Sequence, residues 1–269
     1  MRAVLRNRRI LIAGGFLILV VVLSVGWRLF TPYGYQDQVA VPLSGDGLLG
    51  GDDFGRDVFT RLLVGIRTSL LVAAGSVLLA AVAGVTLGMV AGYTRRAATV
   101  IMRAVDVLLS FPAIILAIAV VAVLGPSVRN VLLVIGVIYI PRFARIAYGQ
   151  TLTVTRSDYV AAAQAMGSGP VRTLTRVVLP NIGGPLLVQA ALSLSFAIQT
   201  ETGLSFLGLG AQPPLSSLGT MVAAGRDFLE VRPSLLVVPA LVVVAIVLAI
   251  HVLTDGLRDA LDPRQGSPS

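Results

Sequence analysis

Asp158-Tyr-Val-Ala-Ala-Ala-Gln-Ala-Met-Gly-Ser-Gly-Pro-Val-Arg-Thr-Leu-Thr-Arg-Val-Val-Leu-Pro-Asn181 is a polar-edged interval between two long apolar stretches. Asp158 is placed to cap a helix whose first turns hold Ala161, Ala162, Ala163 and Ala165, the best helix formers, and Gly167 then ends it. Pro170 suits the first position of a second helix, and Pro180 predicts a break just before the next apolar run. A short capped helix of this kind, hinged at glycine, suits docking to a partner. An ordinary loop helix fits the same residues, so the rest of the chain must decide.

With 269 residues, 56% of them hydrophobic, and a mean hydropathy of +0.89, the chain is too apolar for a soluble domain, where the apolar fraction is about 45–50%. It reads as a multi-span, all-α membrane protein. The net charge of +8 comes from arginine alone, since lysine is absent. Such a surplus fits either nucleic acid or an orientation signal in a membrane. Without cysteine there is no disulfide or thiolate site, and with His251 as the sole histidine a multi-histidine metal site is excluded. Arg2, Arg6, Arg8 and Arg9 precede an apolar run, Ile10–Trp27, that is longer than a signal-peptide core and lacks a cleavage pattern, so it reads as a retained anchor.

A spanning helix needs about 20 largely apolar residues. Ile10–Trp27, Thr68–Thr94, Val107–Val128, Asn130–Gln150, Val177–Thr200 and Pro233–Thr254 supply six, the fourth requiring Arg142 and Arg145 to sit near its end and snorkel. The interval Thr202–Gly225, with Gly208, Gly210, Pro213 and Pro214, reads as a helix end followed by an irregular loop. Six spans put both termini on one side with 14 of the 21 arginines, while the seven on the other side are matched by acids. Positive residues accumulate in the cytoplasm, so both termini are expected there, in a cell (inner or plasma) membrane, and the charge becomes an orientation signal with no nucleic-acid partner. The predicted organisation is residues 1–67 as anchor and external segment, 68–257 as the transmembrane domain with the loop 151–181, and 258–269 as a cytoplasmic tail, disordered beyond Pro263. Val58, Leu62 and Ile66 form an apolar stripe at helical spacing, predicting a helix on the membrane surface before the second span.

Four stretches then match one family in order. Gly51-Asp-Asp-Phe-Gly-Arg-Asp-Val58, the interval Asp158–Asn181, Glu201-Thr-Gly-Leu-Ser-Phe-Leu-Gly-Leu-Gly-Ala-Gln-Pro-Pro214 and Asp255-Gly-Leu-Arg-Asp-Ala-Leu-Asp-Pro-Arg264 resemble signature segments of the permease subunits of ABC importers, specifically the second, shorter permease of the oligopeptide/dipeptide/nickel branch. The resemblance implies a type I importer permease fold with six transmembrane helices, and a working unit of two permeases, two cytoplasmic ATPases and an external solute-binding protein. It also implies that Asp158, Tyr159, Ala161, Ala162, Ala163, Met166, Gly167, Pro170, Arg172, Pro180 and Asn181 form the loop that couples to an ATPase. ATP and Mg would be bound by that partner, because a P-loop needs a lysine and this chain has none. The chain itself is expected to hold no cofactor or metal, to contact membrane lipid, and not to be an enzyme. One departure stands out: the family usually carries Glu where Ala161 lies. Arg156, Asp158 or Arg172 could supply the charged contact instead, or docking could rest on Tyr159, Met166 and shape.

The implied solute is a short peptide, with nickel or glutathione as the alternatives within the family. Glu201, Ser205, Phe206 and Gly208 are candidates for the translocation path, because an acid inside a span is a functional candidate by default. Glu201 could equally cap and pair within the permease, and the glycines could simply form a loop. Two rivals of other classes are open. Gly203-Leu-Ser-Phe-Leu-Gly208 approaches the nucleophile elbow of a serine hydrolase, with His251 as base, but its last glycine is one place late and the two side chains fall towards opposite faces. A self-sufficient channel or carrier would place ionisable groups at mid-membrane, whereas the predicted span centres are uncharged.

Overall fold

The computed structural model describes residues 8–261. Arg2, Arg6, Arg264 and the tail beyond Pro263 therefore lie outside the described residues. Within them every regular element is a helix, with two isolated β-bridges, Gln38 to Arg56 and Gly51 to Asp57. Helix α1 (Arg8–Val25) leads through the single turn α2 (Trp27–Phe30) into an irregular segment, and Asp57 starts α3 (Val58–Tyr93) by accepting a hydrogen bond from Thr60 N at 2.8 Å.

The stripe of Val58, Leu62 and Ile66 is not a separate surface helix. It forms the first turns of α3 and is at most 6% exposed, turned towards protein. Gly65 lets this turn approach Ser217 and Leu218 closely, and no strong breaker separates it from the span that follows. With 36 residues α3 is about 54 Å long at 1.5 Å per residue, well beyond the hydrocarbon thickness of about 30 Å.

The third apolar interval is likewise not one straight helix. Helices α4 (Arg95–Leu109) and α5 (Ala113–Leu124) meet at 86°, because Pro112 cannot continue a helix and biases Phe111 away from helical backbone. Among the described residues five helices are long and apolar enough to cross a membrane, and this bent pair makes six if it counts as one span. Helix α6 (Val128–Val154), capped by Ser127, bears out the fourth span. Its 27 residues run further than the sequence suggested, so Arg142 and Arg145 lie mid-helix instead of near its end.

After α7 (Asp158–Ala165) and the turn α8 (Pro170–Thr173), Pro180 causes no break. A π-helical turn at Leu174–Val178 absorbs the lost donor, and the helix continues as α9 (Leu179–Phe206). The region read as loop contains a further helix, α10 (Leu218–Arg226), opened by a capping box in which Ser217 and Thr220 exchange bonds. Helix α11 (Ser234–Leu261) closes the bundle.

The principal seam is α3 against α6. Gly84, Gly88 and Gly92 recur every four residues, and a Cβ on any of them would strike the α6 backbone or the Phe143, Ala147 or Thr151 side chain. Small residues at this spacing let two helix backbones close up without relying on water exclusion, which is how helices associate in lipid. Ser76 adds a cross-helix bond to Leu132 O at 2.8 Å. Ile10 packs on Gly256, so the first and last described helices lie against each other.

Candidate functional site

The segment between α6 and α9, which holds α7 and α8, hangs from the Tyr93 end of α3. Helix α7 is anchored by Val160, which is fully buried, and by Gln164, whose amide donates to Tyr93 Oη at 3.2 Å. Ser157 occupies the N-cap position without a side-chain cap bond, and Asp158, expected as the cap, is the first helical residue, where a carboxylate still favours the positive end of the helix dipole. Gly167, at φ +82°, ends the helix, with Ser168 N donating to Ala163 O at 3.0 Å, and Pro170 opens α8 as the sequence implied. Thr173 is buried and its hydroxyl turns back to Ser168.

What remains faces outward. Asp158, Tyr159, Ala161, Ala162, Met166, Gly167, Pro170, Arg172, Pro180 and Asn181 are exposed, and Ala163 is half-buried. Met166 is 83% exposed and Val171 76%. Tyr159, Ala162 and Met166 share one face at i, i+3 and i+7, the spacing of an amphipathic helix that lays an apolar edge into a groove. Pro180 and Asn181 belong to the start of α9 and not to this edge.

At the opposite end of α3 the segment 31–57 folds into a cap. Asp52 accepts from Phe54 N and Arg56 N at 2.9 Å each and pairs with Arg56 at 2.7 Å and Arg61 at 3.2 Å. Gly55, at φ +75°, lies so close to Ala40 O that no other residue fits. Arg232 reaches across from the start of α11 to Leu49 O at 3.0 Å. Asp53 lies beside this knot, and burial, reinforced by the Asp52 charge, raises its carboxyl above the usual range, with Arg56 only partly offsetting this. Asp53, Arg56, Phe206, Gly208 and Pro213 line one cavity of about 530 Å³ between the cap and the α9–α10 turn.

Glu201 and Ser205 are brought together one turn apart on α9. Both are 1% exposed, and Ser205 Oγ donates to Glu201 Oε1 at 2.7 Å. The hydroxyls of Ser69 and Ser217 also surround the carboxyl, whose Oε2 has no hydrogen bond. This cluster ties α3, α9 and the cap of α10 into one joint. Phe206 and Gly208 lie at its rim, facing the cavity. The serine is thus engaged by a carboxylate, and His251 Nδ1 lies 2.8 Å from Val247 O on its own helix.

Three features escaped the sequence reading. The glycine ladder on α3 was visible as a four-residue repeat of small residues, and α10 as Ser217 with Thr220. Arg142 had no such signal: its guanidinium stacks 4.6 Å from the Tyr139 ring centroid and 5.1 Å from that of Phe196 on α9.

Comparison with known proteins decides the family. The profile of the family described as binding-protein-dependent transport system inner membrane component matches residues 84–267. The chain belongs to that family. This permease is 39% identical over 265 residues to a putative peptide transport system permease protein of Brucella suis, covering 97% of this chain and 90% of that one. It is 40% identical over 218 residues to the di/tripeptide transport system permease protein of Pseudomonas aeruginosa, covering 81% and 72%. It is 38% identical over 269 residues to the glutathione transport system permease protein of Pectobacterium atrosepticum, covering 98% and 89%. Among solved structures, inward-facing conformations of the MetNI methionine ABC transporter superpose with a TM-score of 0.62 at 19% identity, covering 76% of this chain and 97% of that one. The importer permease fold is therefore shown, and with it the all-α, multi-span architecture read from the sequence.

Proposed function

We propose that this permease forms half of a translocation path for short peptides. A second permease forms the other half, two cytoplasmic ATPases bind ATP and Mg, and an external binding protein delivers the solute. The observation that carries the reading is α7, tethered at Val160 and Gln164 while its Tyr159, Ala162 and Met166 edge stays uncovered. A helix held firmly at its base and bare along one edge suits transmission of a partner's movement into the bundle. With Ala161 where the family usually has Glu, that docking rests on apolar fit more than on charge. The arginine distribution supports cytoplasmic termini and an external cap at 31–57.

Peptide cargo is supported by relatives named for peptide, dipeptide and di/tripeptide transport at 36–40% identity. Glutathione is a second reading, favoured by the 38% identical relative named for it, and it is itself a small peptide. The test is reconstitution of this chain with its genomic neighbours in proteoliposomes. ATP-dependent uptake of radiolabelled dialanine is expected. An assembled transporter that moves neither dialanine nor glutathione would overturn the cargo assignment, and uptake without any ATPase would reinstate the carrier reading.

A further inference from the structure

Arg142 is in an unusual position for a cation. It lies 14 residues into α6, about 21 Å along a helix about 40 Å long, with Pro141 before it and apolar neighbours around it. Arg145, one turn later, reaches across to Asp106 on α4 at 2.6 Å. Arg142 has no such partner: among the described residues no carboxylate lies within ion-pairing distance of it and no acceptor takes its N–H groups. Its side chain is half-buried and stacks on Tyr139 and Phe196.

That stacking fixes its direction. Tyr139 precedes it on α6, so the guanidinium points towards the Val128 end of the helix and away from the coupling segment. Ring faces also hold a guanidinium by its plane and leave the N–H edge free, ready for bidentate pairing. Beside it on α9 lie Gln189, Ser193 and Thr200 at i, i+4 and i+11, with the apolar Phe196 among them at i+7. Thr200 Oγ1 lies 2.9 Å from Tyr139 Oη, and Gln189 donates to Ser193 Oγ at 2.9 Å. Ser193 is fully buried, whereas Gln189 and Thr200 are half-buried and Phe196 is exposed beside the guanidinium.

We propose that Arg142 is a carboxylate-binding site on the path face of α6 and α9, pre-positioned by Tyr139 and Phe196. The carboxylate comes from the C-terminus of the transported peptide or from a side chain of the second permease. The first source rests on the peptide reading above.

The assembled transporter, with Arg142→Gln and Arg142→Lys variants, is assayed for uptake of dialanine and dialanine amide with saturating binding protein. If the solute supplies the carboxylate, Arg142→Gln lowers dialanine uptake at least ten-fold, Arg142→Lys lowers it less, and uptake of the amide is unchanged by either. If the second permease supplies it, uptake of both probes falls together and that subunit no longer co-purifies. Wild-type uptake of both probes by Arg142→Gln overturns the proposal, as does an equal loss of both with the complex intact. Phenylglyoxal labelling of Arg142, read by mass spectrometry, does not depend on transport. Protection by dialanine and not by its amide, or protection on assembly alone, supports the site even if wild-type imports neither probe and the peptide reading fails. Equal labelling under all these conditions overturns the site.

Discussion

At the Val58 end of α3, Asp52 collects two arginines and two backbone N–H groups, Asp57 caps the helix, and Arg232 pins the cap from α11. At the Tyr93 end, α7 is held by one buried valine and one exposed amide bond, and its remaining side chains, apart from the half-buried Ala163, are exposed. The first region pairs most of its charges internally, while the second leaves its apolar edge uncovered. One long helix, α3, with its glycine seam against α6, connects them.

The largest expected effect breaks the open end. Met166→Asp combined with Tyr159→Ala should lower binding-protein-stimulated ATP hydrolysis by at least a hundred-fold while membrane insertion and the cap stay intact, as read by limited proteolysis. Next, Gly88→Leu should force α3 and α6 apart, costing about 3 kcal/mol by overpacking and lowering the melting temperature of the detergent-solubilised chain. A similar loss of about 3 kcal/mol is expected for Asp52→Ala, which leaves Arg61 without its carboxylate partner and Arg56 with only Asp53 at 3.6 Å, and it should expose residues 31–57 to protease. Equal protection in that variant would show that the cap does not depend on its ion pairs.

The smallest effect concerns Asp53. Its folded-state carboxyl is raised above 3.8, so folding favours the protonated form. That contribution is fully present below 3.8 and is lost as pH rises through the raised folded value. Asp53→Asn should therefore melt at or slightly above the wild-type temperature at pH 7.5, with the difference vanishing towards pH 4. A clear loss at pH 7.5 would mean that the ionised carboxylate is needed, through its 3.6 Å pair with Arg56.

The ends of this molecule were legible in the sequence because they are built from local signals. The Gly167 stop depends on residues a few positions apart, and so does the Pro170 start. The six-span plan followed from hydropathy and arginine placement, which are also linear properties. Failures came where neighbours override the chain. Val58, Leu62 and Ile66 have the spacing of a surface helix, and only the approach of α10 at Gly65 shows that they face protein. Pro180 is a breaker in isolation, yet a π-turn accommodates it. Pro112, in contrast, does break its helix, and hydropathy averaged across it hid the 86° bend. The joint of Glu201 with Ser205, Ser69 and Ser217 draws on three distant segments, so no local pattern could assemble it.

The measurement that tests the central claim most directly is co-purification of the full-length chain with its neighbouring ATPases, comparing the wild type with the Tyr159 and Met166 double variant. A stable complex for the wild type that hydrolyses ATP faster with peptide-loaded binding protein, and no ATPase retained by the variant, is the predicted result. Equal retention and equal stimulation in both would contradict it, and the exposed edge of α7 would then not be where energy enters this permease.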